Sequence, residues 1–425
     1  MQRIRQSLPY FRQFDWDPVV IAVDEAYCGA YSKDDLLLKT IPCDIKIHKV
    51  KALPLKFTRH IGLGSLSLRS YFQIKKKGDE LLKKEKFDLV YFSTTAFHVL
   101  PLGKRWKKKF AVPFIIDLQD PWRNDFYQND AFARNNLKFF LYHNLDRYLE
   151  AKTLPYTDGI ISVSPGYVKM YQQRYPGLIQ NKFCVIPFGF ATSDFVIARQ
   201  CISSSANVPL FSRKKNMVYI GRGGNDMQYA VEIIFDAIKK GRELENPIFN
   251  NIQLWFVGTD YAASGTGTKT IEPIAVKKGI KNIVVEIPDR IPYFETLHLL
   301  LKADVLMVPG STDETYTASK IYPYLFSNKP MLAVFHEKSS VCKIISETSK
   351  AKVVAFNQQL TESERNQKVM ECFLYLKEVF TNKITTSEVN MEGLEKYSAL
   401  EATRQQTEFF DKIIRSLEKT PASYA

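Results

Sequence analysis

Lys320 closes the run Pro309-Gly310-Ser311-Thr312-Asp313-Glu314-Thr315-Tyr316-Thr317-Ala318-Ser319-Lys320, which follows an apolar segment and leads into a helix-like one. Hydroxyls, two carboxylates and an ammonium gathered at a helix start suit a sugar joined to a phosphate. Ser and Thr also cap free N–H groups at helix starts whatever the function, so the lysine is the sharper signal. A cation at a helix N-terminus opposes the helix dipole, and a bound anion repairs that placement. Gly221-Arg222-Gly223-Gly224-Asn225-Asp226 is a second anion candidate. Its glycines let backbone approach a ligand closely, N–H groups at the following helix start favour phosphate, and Arg222 adds a cation. An ordinary tight turn is the competing reading of such a glycine cluster.

Two further groups end strand-like runs earlier in the chain. His98 follows Ser93-Thr94-Thr95-Ala96-Phe97, and Asp120 lies in Asp117-Leu118-Gln119-Asp120-Pro121-Trp122. His98 could act as a base or hold a hydroxyl, and Asp120 could do acid–base work. Each also has a bland reading, a structural histidine and a helix-start Asp-Pro pair. Other patterns fail. Gly265-Thr266-Gly267-Thr268-Lys269-Thr270 lacks the Gly-Lys pair of a P-loop. Asp15-Trp16-Asp17 precedes a strand and reads as a turn, and the six histidines are not spaced for a shared metal. No metal and no cofactor is expected.

Positioning these residues requires a scaffold that gathers strand ends. The chain has 425 residues, 45% hydrophobic and 24% charged, which excludes wholesale disorder and favours two domains. Short β-branched and aromatic runs, apolar on both faces, recur at 19–23, 88–93, 113–118, 159–164 and 184–187, then at 217–221, 252–258, 282–286, 304–309 and 331–335. Such runs, alternating with amphipathic helical stretches, are the signature of buried parallel strands covered by helices. One stretch, 227–240, places Ala230, Ile233, Ile234, Ala237 and Ile238 on a single helical face. The alternation breaks over 191–216, which reads as an exposed connection. The expected fold class is therefore α/β with two Rossmann-like doubly wound domains, at 1–195 and 212–395. A final helix at 396–425, with Phe409, Phe410, Ile413, Ile414 and Leu417 on one stripe, would pack on its own domain or cross back to the first. A doubly wound domain opens with a strand and a glycine-rich turn, but 1–14 already reads as the helix that follows them. The first domain is thus expected to be incomplete, either because the coding start is placed at an internal methionine, the favoured reading, or because the fold lacks that element.

Charge narrows the partners. Lys and Arg number 59 against 45 Asp and Glu, a formal +14 that favours anionic ligands. No nucleic-acid motif accompanies the lysine clusters, so nucleic acid is not an expected partner. Lys104-Arg105-Trp106-Lys107-Lys108-Lys109-Phe110 could rest on an anionic membrane surface, or be a solvated helix face. No apolar run is long enough to span a bilayer, and 1–6 lacks a signal-peptide core. A cytoplasmic location, or a peripheral one on the inner membrane face, is the expectation. Six cysteines without a CxxC pair argue against a disulfide framework.

In order along the chain, Phe87-Asp88-Leu89-Val90-Tyr91-Phe92-Ser93, Ile116-Asp117-Leu118-Gln119-Asp120-Pro121-Trp122, Ile161-Ser162-Val163-Ser164-Pro165-Gly166-Tyr167, Ile186-Pro187-Phe188-Gly189-Phe190, Tyr219-Ile220-Gly221-Arg222 and Ser319-Lys320-Ile321-Tyr322-Pro323-Tyr324-Leu325 resemble bacterial GT-B glycosyltransferases of family four, the glycogen-synthase-like and mannosyltransferase-like group. The resemblance implies two Rossmann-like domains facing a cleft, with a nucleotide-sugar donor held by the second and a glycan or lipid-linked acceptor by the first. Donor-binding residues would then be Gly221, Arg222, Gly223, Gly224, Asp289, Arg290, Asp313, Glu314, Tyr316, Thr317, Ser319 and Lys320. Within that set Arg222 and Lys320 would hold the diphosphate, and the loop 286–290 would lie near the base. His98 and Asp120 would face the reacting sugar and acceptor. The family's two glutamates near Lys320 are replaced by Thr315 and Pro323, with Asp313 and Glu314 as substitutes. The implied activity is metal-independent transfer of a sugar in surface polysaccharide or glycan synthesis, with retention suggested by the family. A nucleotide-sugar 2-epimerase and a catalytically inactive binding subunit are the rival readings.

Overall fold

In the computed structural model, which describes residues 2–28, 35–58, 64–123, 137–200, 214–262, 265–314 and 320–419, the short apolar runs are parallel strands. Twelve occur among the described residues: β1 (Val19–Val23), β2 (Lys46–Val50), β3 (Val90–Ser93), β4 (Phe114–Leu118), β5 (Gly159–Ser162), β6 (Phe183–Val185), β7 (Lys215–Ile220), β8 (Ile252–Val257), β9 (Val284–Ile287), β10 (Val305–Pro309), β11 (Met331–His336) and β12 (Lys352–Phe356). Every residue of β4, β5, β10 and β11 is buried. That is why these strands carry no polar face: helices cover them on both sides.

The chain forms two compact units. The first holds most of the described residues up to Phe188 together with the C-terminal helix from Ala399, and the second holds Gly189–Ser398. In the second unit all six strands join one parallel sheet in the order β12-β11-β10-β7-β8-β9. This is the doubly wound arrangement, in which strand order reverses beside the first strand and ligands bind outside the carboxyl ends there. The helix Gln228–Leu244 follows β7 and buries Ala230, Ile233, Ile234, Ala237 and Ile238 completely.

In the first unit the strands form a two-stranded piece, β1-β2, and a four-stranded piece, β3-β4-β5-β6, all parallel. One apolar cluster sets Phe92, Trp106, Phe114 and Ile116 against the helices Leu66–Lys84 and Pro101–Phe110. The opposite cluster combines Leu8 and Phe11 from the N-terminal turns with Ile115, Ile161, Ile186 and with Phe409, Phe410 and Ile413 of the helix Ala399–Glu418.

Two sequence expectations change here, and the basic stretch 104–110 gains detail. The ring of Trp106 is buried and its indole N–H donates to Asp79 at 2.9 Å. Its basic neighbours are engaged too, Lys107 with Asp158, Lys109 with Asp79, and Lys104 over the Tyr156 ring. The break expected over 191–216 begins with a helix, Thr192–Gln200, which buries Phe195 and Ala198, while 201–213 lie outside the described residues. Leu417, placed on the apolar stripe of the last helix, is exposed.

Close helix contact in the first unit depends on Gly78. A Cβ there would sit 2.2 Å from the Trp106 ring, which itself stacks on Phe92. Gly-to-Ala in a helix interior ordinarily stabilises by about 1 kcal/mol. Against an immobile buried indole, overpacking costs about 1–3 kcal/mol and reverses the sign. Gly78→Ala is therefore expected to lower the denaturation midpoint, and a raised midpoint would contradict this packing.

Candidate functional site

At the carboxyl end of β7, the fully buried Tyr219 sends its hydroxyl past the sheet and donates to the carbonyl of Arg222 at 2.8 Å. The ammonium of Lys320 donates to the same hydroxyl and lies 4.3 Å from the ring centre. Tyr324, one turn into the helix Ile321–Phe326, clamps that helix to the strand. Its hydroxyl accepts from the N–H of Ile220 at 2.7 Å and donates to the carbonyl of Ile220 at 3.0 Å. Lys320 is thereby brought over Gly221, where a Cβ would sit 2.4 Å from its Nζ. The glycine is needed for that approach.

Arg222 bends toward the following turn. Its guanidinium donates to both oxygens of Asp226, at 2.9 and 2.6 Å, and the Ser311 hydroxyl donates to Asp226 at 2.6 Å. The N–H of Thr312 reaches the carbonyl of Asp226 at 2.8 Å. The loops after β7 and β10 are therefore cross-linked through one aspartate. Burial pushes the Asp226 carboxyl up, but the hydrogen bonds from Arg222 and Ser311 outweigh it and hold the group below its ordinary range. Burial acts on Lys320 in the opposite sense. Reinforced by the charges of Arg222 and Arg290 against the pull of Asp226, it lowers the ammonium to about 7. The arrangement holds two basic groups in place and leaves one of them short of a counter-anion, the electrostatics of an anion site.

The remaining donor-side residues fall into three groups. Gly223 and Gly224 continue the turn; the N–H of Gly223 bonds to Thr259 at 2.7 Å, and Gly224 has φ 136°. Asp289 and Arg290 lie after β9. Asp289 accepts from the N–H of Gly265 at 3.0 Å, and the Arg290 guanidinium stacks 3.8 Å from the centre of the exposed Tyr261 ring. Glu286, at the start of that loop, is buried and takes four bonds, from Thr259, Thr270, Ile271 and Glu272. It therefore braces the loop and is not open to a ligand. Asp313 is exposed, its N–H bonded to Ser311, and Glu314 pairs with Lys338 at 2.9 Å. Tyr316, Thr317 and Ser319 lie outside the described residues.

In the first unit, His98 sits between two partners. Its Nδ1 is 2.8 Å from the Ser67 hydroxyl and its Nε2 is 3.2 Å from Asp146, which also accepts from the Trp122 indole at 3.1 Å. Asp120, just past β4, is exposed and has no hydrogen-bonding or ionic partner among the described residues. The surrounding protein nevertheless desolvates it enough to raise its carboxyl above the ordinary range.

Sequence reasoning did not single out Tyr219, Asp226, Ser311, Tyr324 or Tyr261. Asp226 had a readable signal, since it follows Arg222 by four residues at a helix start, the spacing of an ion pair. The tyrosines gave none, because an aromatic residue in a buried strand or helix reads as core.

No protein-family model matches the chain, and no curated protein matches it. Solved structures do. HepE of Anabaena in complex with UDP-glucose is 14% identical, with 99% of this chain and 95% of that one covered at a TM-score of 0.56. A glycosyltransferase from Rickettsia africae is 14% identical over 98% of this chain and 94% of that one, with a TM-score of 0.55. Sucrose-phosphate synthase from Thermosynechococcus elongatus is 12% identical over 94% of this chain and 100% of that one, with a TM-score of 0.54. At such identities the likeness is one of fold, and the fold is GT-B: two Rossmann-like α/β domains in one chain.

Proposed function

We propose that the chain is a glycosyltransferase that takes a sugar from a nucleotide-sugar donor and passes it to a saccharide or lipid-linked acceptor. One observation carries the reading: the Lys320 ammonium lies on the Tyr219 hydroxyl, which itself holds the Arg222 carbonyl, and the Arg222 guanidinium, paired with Asp226, is near enough for its charge to act on the lysine, all at the point where the second sheet reverses order. Glycosyl transfer needs a stabilised leaving diphosphate, and two cations held in place beside each other can supply that stabilisation without a metal. HepE holds UDP-glucose in its structure, so a uridine donor is the first to test. Tyr261, stacked on Arg290 beyond the strand ends, offers an aromatic face for the base. Asp120 is the acid–base candidate on the acceptor side, because both ring nitrogens of His98 face partners within the unit. A retaining reaction would instead use the departing phosphate to take the acceptor proton.

The test is thermal stabilisation by UDP, GDP and ADP, followed by transfer from the matching labelled nucleotide sugar. A ligand at 100 times its Kd stabilises by about 2.7 kcal/mol, a rise of several degrees in midpoint. One of the three is expected to give it, and a lengthened acceptor is the expected product. Stabilisation with release of a free epimerised sugar would select the epimerase reading. No stabilisation by any of the three would remove the donor site.

A further inference from the structure

A carboxylate beside a diphosphate repels it, yet Asp226 joins the turn that carries Arg222 to the loop that leads to Lys320. It stands in the short turn Asn225–Met227 that opens the helix Gln228–Leu244. A helix start favours a carboxylate through the dipole, and the ordinary use of one there is to cap backbone N–H groups. The side-chain oxygens of Asp226 are turned elsewhere, to both terminal nitrogens of Arg222 and to the Ser311 hydroxyl.

The surroundings are shaped for that pairing. Ser311 is buried, and its hydroxyl accepts from the N–H of Asp313 at 3.0 Å while its proton goes to Asp226. An ionised carboxylate can only accept, so the direction of that bond is set. Gly224 makes room for the ion pair: a Cβ there would sit 2.8 Å from Oδ1 of Asp226 and 3.4 Å from Nη1 of Arg222. Its φ of 136° also lies where side chains are disfavoured. The charge of Asp226 reaches Lys320 as well, where it opposes the lowering by burial, Arg222 and Arg290. A free arginine must give up much rotamer freedom to grip a ligand, and ordering it beforehand removes that cost from binding.

We infer that Asp226 is a positioning residue of the donor site. Pinned by Ser311, it holds the Arg222 guanidinium in one orientation and ties the turn after β7 to the loop after β10, so that both cations stand in place before a donor arrives. The inference rests on the donor reading proposed above and adds to it a residue that touches no substrate.

The experiment is calorimetry of the full chain with UDP-, GDP- and ADP-glucose, followed by the same titration of variants with the nucleotide sugar that binds. Asp226→Asn keeps the shape of the side chain and removes its charge, and it is expected to weaken affinity about tenfold. Ser311→Ala is expected to weaken it about threefold. The double variant is expected to bind no worse than Asp226→Asn, because both changes act through one carboxylate. A pH series separates positioning from plain support of the turn. Without the Asp226 charge, burial, Arg222 and Arg290 act on Lys320 unopposed while the Tyr219 contact is unchanged. The fall in affinity with rising pH should then begin at lower pH than in the parent chain. Unchanged or tighter binding by Asp226→Asn would overturn the inference, the tighter case by showing that the carboxylate competes with the diphosphate. Additive losses, or an unmoved pH profile, would overturn it too. Should Asp226→Asn not fold, Ser311→Ala decides: a threefold loss supports the inference and none overturns it. A parent chain that binds none of the three sugars would instead remove the donor reading, and this inference with it.

Discussion

Replacing Lys320 with methionine should cost sugar transfer about 100-fold or more in kcat/KM, the usual range for deleting one preorganised group that stabilises developing charge. Methionine keeps most of the length and apolar contact of lysine and removes only the ammonium that lies on Tyr219. The same change should make the unliganded protein more stable, which separates loss of function from loss of fold. The sign follows from the lowered pKa. Below about 7 the ammonium is charged in both folded and unfolded chains and its burial cost is fully present. As pH rises from 7 toward the unfolded value near 10.5 the folded group gives up its proton and the cost fades. The stability gain from Lys320→Met is thus largest at or below pH 7 and vanishes at high pH. Kinetics and denaturation midpoints across pH check both halves, and a mutant of unaltered kcat/KM would remove Lys320 from the donor site.

The second large effect is on the pH dependence of donor affinity. A diphosphate prefers a charged Lys320, so above pH 7 binding must first restore its proton, and affinity is expected to fall by up to about tenfold per pH unit. The groups around it sharpen the prediction. Arg222 and Arg290 lower the lysine, Asp226 opposes them while itself held ionised, and the Tyr219 hydroxyl accepts its hydrogen bond. A nucleotide sugar is the right ligand, because its diphosphate is esterified at both ends and keeps its charge over this range. Calorimetry in buffers of different ionisation enthalpy should show proton uptake on binding at pH 8, absent from Lys320→Met. Affinity that is flat from pH 7 to 9 in the parent chain would show that this lysine does not meet the diphosphate.

The sheet architecture was legible because burial on both faces leaves a plain mark: runs such as 305–309 and 331–335 carry no polar residue at alternate positions, and their shortness and β-branched or aromatic content fit a covered parallel strand. The candidate anion site was legible in its cations, since Arg222 stands just past one such run and Lys320 at the start of the helix that follows another. What holds those cations was not. Tyr219 and Tyr324 look like core residues, and their hydroxyls acquire meaning only when two loops distant in sequence meet. The burial of Trp106 was not legible for a related reason. It stands among four lysines and an arginine, yet one face of a ten-residue helix turns it inward onto Gly78. The helix Thr192–Gln200 was lost to its setting, because it precedes a serine-rich polar stretch that reads as a connection.

The first unit draws its apolar layer from both ends of the chain: Leu8, Phe11 and Trp16 meet Phe409, Phe410 and Ile413, with Ser7 bonded to Gln406. The segment 189–398 is synthesised before the helix Ala399–Glu418 and can fold without it, domains generally folding as units in order of synthesis. The amino-terminal half, translated first, must wait for that helix to cover its layer. It is therefore the later unit to mature, and the one that a break in the chain between 398 and 399 would ruin while sparing its neighbour.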